Sequence, residues 1–274
     1  MKFAICNETF NDRSIPAGFD FARQCGYTGI EIAPFTLATS ATAVTAQQRT
    51  EVKQQAAAAG LEVVGLHWLL AKTEGFYLTT PDAAVRKKTA DYLAELARLC
   101  RDLGGSLMVL GSPQQRNLLP GVTHSEAMRH AADVLSQVVP VLEETEVTIA
   151  VEPLAATEGN FLNTAATGVE LCNMVGSSQV RLHLDVKAMS GETIPIPKLI
   201  RDNRDYLVHF HANDPNLQGP GFGEVKFEPI LAALGEIDYR GWVSVEVFDY
   251  TPGVERLAKE SIDNLKQCLA NLAE

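Results

Sequence analysis

The stretch "VRLHLDVKAM", residues 180–189, begins as the apolar run of a buried β-strand and then places Asp185 and Lys187 where that run should simply end. A core strand that finishes in charge needs a reason, and the reason depends on what surrounds it. Short apolar runs of the same kind recur along the whole chain, at 3–6, 29–32, 62–66, 107–110, 148–151, 180–184, 207–210 and 242–245. Between them lie helical segments such as "TAQQRTEVKQQAAAAG", "PDAAVRKKTADYLAELARLCRDLGG" and "HSEAMRHAADVLSQVVPVLEET". In the second, Tyr92, Leu93, Leu96, Leu99 and Cys100 form an apolar stripe at helical spacing, and Gly104 and Gly105 stop it. Strand and helix alternating in this way predict parallel βαβ units.

Two of the re-entries share a pattern. "CGYTGIEI" at 25–32 and "IDYRGWVSVEV" at 237–247 each carry Tyr-x-Gly ahead of a strand, as expected where a helix ends and a tight turn feeds the chain back into a sheet. No linker or low-complexity run interrupts the 274 residues. Eight such units in one unbroken domain, 1–274, predict an α/β fold of the (β/α)8 TIM-barrel type. An open doubly wound sheet for nucleotides would be signalled by GxGxxG after the first strand or by a Walker loop, and neither occurs.

Composition narrows the function. A net charge of −11 argues against a surface that neutralises phosphates, so nucleic acid is not an expected partner. Cys6, Cys25, Cys100, Cys172 and Cys268 are odd in number and widely spaced, and read as reduced core thiols rather than a disulfide frame or zinc cluster. The opening "MKFAICNETF" runs straight into a strand without the apolar segment of a signal peptide or membrane span. A cytoplasmic location with no membrane partner is the expectation.

In a TIM barrel the chemistry sits at the C-terminal strand ends. Strand five ends "IAVEP" with Glu152, strand six "LHLDV" with Asp185, strand seven "VHFHAND" with His211, and strand eight "VSVEVFD" with Glu246. A single acidic residue at a strand end is more often a helix cap or an ion-pair partner. Four successive strands ending in Glu, Asp, His and Glu form a more specific pattern. Burying these groups together unpaired would cost several kcal/mol each, and a divalent cation removes that cost. Three carboxylates and an imidazole suit Mn²⁺, Mg²⁺, Co²⁺ or Fe²⁺ better than a structural zinc site, which usually carries thiolates. The charge at the end of "VRLHLDV" is thus explained if Asp185 is a metal ligand.

"AVEP", "LHLDVKAM", "HFHANDPN" and "VSVEVFDY", with "GPGFGEVKFEPILAAL" at 219–234, resemble the xylose-isomerase-like TIM barrels, the sugar phosphate isomerases and epimerases that include the ketose 3-epimerases. The resemblance spans essentially the whole chain. It implies a carbohydrate-metabolism enzyme with a metal held by Glu152, Asp185, His211 and Glu246, Mn²⁺ first, with Mg²⁺, Co²⁺, Fe²⁺ and Zn²⁺ as alternatives. It also implies that Glu152 and Glu246 are the acid/base pair, acting through an enediolate: proton return to the opposite face gives epimerisation, and return to the neighbouring carbon gives isomerisation. A small carbohydrate is then the partner, and a homo-oligomer is a family-based expectation.

Further candidates surround these four. The resemblance makes Glu158 a substrate-binding glutamate. His67 and Trp68 follow strand three and could bind and wall off a sugar edge. His183 and His209 share the barrel-facing side with Asp185 and His211 and read as interior supports. Glu31, ending strand two, reads as a substrate contact or an ion-pair partner. The chain also departs from the 3-epimerase pattern. Ala188 stands where a substrate-holding histidine usually follows the aspartate by three, and no arginine occurs between His211 and Arg240. Lys187 is the candidate to contact a hydroxyl or carboxylate, or to stabilise enolate charge, in their place, with a structural ion pair as its other reading.

Two further activities share these residues. A lyase or dehydratase on a keto sugar or keto-glycoside would use the same enolate to expel a β-substituent. An endonuclease IV-like phosphodiesterase would need more metal ligands and less negative charge. A non-catalytic sugar binder would have no need of two opposed glutamates.

Overall fold

The computed structural model describes residues 1–273. Its elements run β1 Lys2–Cys6, α1 Ile15–Cys25, β2 Gly29–Ile32, α2 Ala46–Ala59, β3 Glu62–Leu66, α3 Ala83–Leu103, β4 Leu107–Leu110, α4 His124–Thr145, β5 Thr148–Val151, α5 Ala165–Val175, β6 Val180–Asp185, α6 Val186–Met189, α7 Ile196–Asp202, β7 Leu207–Ala212, α8 Phe227–Glu236, β8 Trp242–Val245 and α9 Val254–Asn271. The eight strands are parallel and close in sequence order, β8 pairing with β1 through Lys2↔Trp242 and Ile5↔Val245. This is the expected (β/α)8 barrel. Two strands run further than the apolar pattern indicated: β6 includes Asp185 and β7 reaches Ala212. The charged residues are therefore the last rungs of the ladder, and Asp185 pairs in register with His211.

Strand alternation sorts the side chains. Phe3, Ile5, Ile149, Val151, Leu182, Leu184, Val243 and Val245 join the large core between strands and helices. Ala4, Val64, Leu107, Val109 and Ala150 form a separate small cluster, closed by Val208 and Trp242. Nearer the C-terminal strand ends, His183, His209, Ser244 and Cys6 are fully buried. The barrel thus has an apolar plug and a polar layer leading to its C-terminal mouth. Gly65 permits the approach of β3 to β4, since a Cβ there would overlap the carbonyl oxygen of Leu107.

Helix ends follow the sequence signals. Thr45 and Thr123 close capping boxes with Gln48 and Glu126, and Gly26, Gly60, Gly104 and Gly176 take the left-handed conformation as C-caps. In the Tyr-x-Gly re-entries, the Tyr27 hydroxyl donates to Ala258 O at 2.8 Å and that of Tyr239 to Trp242 O at 2.7 Å, fastening each turn. All five cysteines are buried and free. No helix among the described residues is long and apolar enough to cross a membrane.

Candidate active site

Glu152, Asp185, His211 and Glu246 lie at the ends of β5, β6, β7 and β8, none more than 7% exposed. One donor atom each from Glu152, Asp185, His211 and His183 lie within 4.8 Å of one another. Glu246 joins this group through His211, its Oε2 standing 3.1 Å from Nδ1. The structure therefore brings together the four residues singled out at the strand ends and adds His183. Both ring nitrogens of His183 are buried without a hydrogen-bond partner.

Each of these groups is held by a second one. Asp185 Oδ1 accepts from the Ala188 backbone at 2.8 Å, capping α6, while Oδ2 accepts from Asn213 Nδ2 at 2.6 Å. The helix-cap reading of Asp185 is thus correct alongside its place in the donor cluster. Glu31 accepts from His209 Nε2 at 2.9 Å and from His211 Nε2 at 3.2 Å, fixing the ring that presents Nδ1 to Glu246. Glu31 therefore sits behind His211, as an ion-pair partner. Glu152 lies over Gly111, where a Cβ would overlap its Oε2. Buried Arg116 donates to Glu152 O at 2.7 Å and Leu110 O at 3.3 Å, tying the ends of β4 and β5 together.

The electrostatics follow from crowding in a dry space. Burial pushes the Glu152 carboxyl well above the usual range, and repulsion from Glu246 and Asp185 adds to it. Asp185 is raised by burial against the pull of Lys187. For Glu246, burial is outweighed by His211, and its pKa falls. His211 is raised well above an ordinary histidine because Glu31 and Glu246 overcome its burial. His183 is driven well below by burial and by its histidine neighbours, so it is neutral.

The second group of candidates rims the same space. A narrow cavity of about 40 Å³ is lined by Glu152, Glu246 and His211 together with Glu158, Lys187, His67, Trp68 and Phe248. Lys187 Nζ donates to Glu158 Oε1 at 2.6 Å and lies 4.3 Å from the Phe248 ring centroid, so it is ion-paired as the structural reading expects, and it lines the cavity. His67 Nε2 is 2.7 Å from Glu8 Oε2. Trp68 packs edge-on against Phe248, with centroids 6.2 Å apart, and adopts a positive φ of 54°.

Several supporting residues escaped the sequence reading. Glu8 lies in a single turn after β1, where no periodicity marks it. Asn213, two residues beyond His211 in "HFHAND", could have been found by the spacing of two that identified His209. Gly111 and Arg116 lie in "GSPQQR" just after β4, and a strand-end glycine was the available signal. Besides the four strand-end residues, Cys6, Glu8, Glu31, His67, His183 and His209 contribute atoms to overlapping groups of possible donors. The acidic charge remains the argument against a nucleic-acid substrate.

Known proteins can be set beside this geometry. The chain is 26% identical over 269 residues to a probable ketose 3-epimerase of Synechocystis, covering 91% of this chain and 89% of that one. It is 24% identical over 255 residues to the 3-dehydro-D-guloside 4-epimerase of Escherichia coli, covering 90% and 92%. Among solved structures, a D-psicose 3-epimerase of Clostridium cellulolyticum H10, determined with D-tagatose, superposes with a TM-score of 0.85 over 98% of this chain and 99% of that one at 22% identity. The sequence profile that matches residues 19–268 is that of the xylose isomerase-like TIM barrel, and the chain belongs to that family.

Proposed function

We propose that this chain is a divalent-metal-dependent sugar epimerase or isomerase in which Glu152 and Glu246 move a proton on a carbon next to a carbonyl. The observation that carries this reading is the cavity lined by the two buried glutamates and His211, where Glu152 groups with Asp185, His183 and His211 and Glu246 meets His211. The epimerase relatives support the same class of chemistry.

The donor set suits a hard divalent cation. It is built of carboxylates and imidazoles, its carboxyls are crowded enough to resist ionisation together, and His183 adds two ring nitrogens without partners. Glu152, Asp185, His211 and Glu246 would hold the ion. Once bound, it supplies Lewis acidity, polarising a substrate carbonyl so that the adjacent C–H becomes more acidic.

The protein residues do the remainder. One glutamate takes the proton from carbon and the other delivers one to the opposite face, which inverts that centre. Glu158 and Lys187 meet substrate hydroxyls from the cavity wall, and the Lys187 ammonium also offsets negative charge that builds up during proton transfer. His67, held by Glu8, offers a ring nitrogen to a hydroxyl, while Trp68 and Phe248 pack against the sugar edge. Glu31 and Asn213 position His211 and Asp185.

The test is proton NMR of the Mn²⁺-loaded protein in D₂O with free and phosphorylated ketoses, aldoses and 3-dehydro sugars. Deuterium at C3 or C4 identifies an epimerase of the corresponding kind, and deuterium at C1 or C2 an aldose–ketose isomerase. Loss of a β-substituent instead identifies the lyase. Absence of exchange with every substrate overturns the proposal.

A further inference from the structure

A second chamber opens beside the first. It is partly open to solvent and offers about 510 Å³ of room, against about 40 Å³ in the cavity that contains the glutamates. Trp68, Ser112, Pro113 and Phe248 line both, so the edge-on Trp68–Phe248 pair is a collar between them rather than an end wall. Beyond the collar the lining is aromatic and amide-bearing, with Phe35, Tyr250, Asn11, Gln114 and Gln115.

The His67–Glu8 pair bridges the two spaces. His67 lines the smaller cavity and Glu8 the larger one. Glu8 is only 6% exposed. Its Oε2 is engaged by His67 at 2.7 Å, but its Oε1 is buried without a hydrogen-bond partner. A buried carboxylate oxygen left unpaired is costly, and a hydroxyl donor removes the cost. Aromatic faces with a few convergent polar groups are the lining that a sugar ring requires, since its C–H edges pack on rings while its hydroxyls donate and accept.

We infer that the larger chamber receives a second, hydroxyl-bearing ring joined to the reacting sugar, so that the substrate class is a keto-glycoside. This rests on the proton-transfer reading proposed above for the smaller cavity. A sugar phosphate fits the chamber poorly. Its one lining cation, Lys72, lies over the Phe35 ring at 4.0 Å, and Glu8 would repel a phosphate. A purely aliphatic substituent would leave Glu8 Oε1 unpaired. The 3-dehydro-D-guloside 4-epimerase among the relatives is named for a glycoside, consistent with this assignment.

The experiment uses the Mn²⁺-loaded full chain and two matched 3-dehydro-glucosides, one with a methyl group and one with a second glucose ring on the anomeric oxygen. Calorimetry reads affinity, and deuterium exchange reads chemistry. The second ring should tighten binding about tenfold or more, and Tyr250→Ala and Glu8→Gln should each remove most of that gain. Tyr250→Ala should weaken the disaccharide far more than the methyl glycoside, which separates a ring contact from general damage. Equal affinity for the two glycosides, or a gain that neither variant reduces, would falsify the inference. Exchange without the affinity gain overturns the second-ring site and leaves the proton-transfer reading standing. An affinity gain without exchange overturns that reading and leaves the ring site in place.

Discussion

Glu152 rests across the backbone of Gly111, so that a methyl group at this glycine would take the place of Oε2. The carboxylate can reach its position because β4 is followed at once by a residue without a side chain. Gly111→Ala should therefore displace Glu152 and cost about 100-fold in turnover, the scale of a misplacement of about 1 Å. Circular dichroism melting of the variant, run beside the exchange assay, separates this from unfolding. A fully active Gly111→Ala protein would show that Glu152 does not act from this position.

Glu246→Gln keeps the shape of the side chain and removes its basicity. Turnover should fall by about 10²- to 10⁴-fold, the usual contribution of a positioned acid or base, while substrate affinity is largely retained. Isotope exchange at carbon and equilibrium binding measured on one preparation report the two effects separately. Full activity in this variant would remove Glu246 from the chemistry.

Lys187 is mostly buried and hydrogen-bonded to Glu158 at 2.6 Å. Lys187→Met should raise KM about tenfold or more, because Glu158 loses its partner in the cavity and the substrate loses a donor. Initial rates across a range of substrate concentration test this. A change in kcat alone would point to charge stabilisation in the transition state rather than to binding.

Chelation should abolish exchange and lower the melting temperature, since an ion bound only by the folded chain stabilises it by mass action. Mn²⁺ should restore both. Asp185→Asn should need a higher Mn²⁺ concentration for the same thermal shift. A melting temperature indifferent to chelator and metal would argue against a bound ion.

His67 carries a pH signature. Burial alone would lower its pKa, but hydrogen-bonded Glu8, with Glu31 and Glu246, raises it above the ordinary 6.5. The folded chain therefore holds this proton more tightly than the unfolded one. The resulting stability is fully present below about pH 6.5 and is lost as pH rises through the folded value. Urea unfolding between about pH 6 and pH 9 should show a stability difference between wild type and His67→Gln that shrinks toward alkaline pH. A difference that grows with pH would reverse the assignment.

The barrel and the donors at its mouth were legible because both follow from local rules. Apolar runs of strand length marked all eight strands, and a charge closing a buried run marked Glu152, Asp185, His211 and Glu246. The apolar pattern stopped one or two residues short in β6 and β7, because Asp185 and His211 belong to the ladder while having no apolar character. What surrounds the donors was less legible. Glu8 meets His67 across 59 residues and Glu31 meets His211 across 180, contacts made only when the barrel closes. Glu31 was marked by its place at the end of β2 but its partner was not, and Glu8 sits in no periodic pattern that would have announced it. Gly111 was passed over for a related reason: its importance lies in an atom it lacks.

The strand order has one more consequence. Glu152, Asp185, His211 and Glu246 come from β5 to β8, whereas Glu8, Phe35, His67, Trp68 and Lys72 follow β1, β2 and β3. On the proposed reading, the second half of the chain supplies the reaction and the first half supplies most of the selectivity. The two can be engineered separately. A library confined to residues 8–72 would alter which substituent the enzyme accepts while leaving the strand-end acid/base pair untouched, and grafting those loops onto another barrel of the family would transfer preference without transferring chemistry.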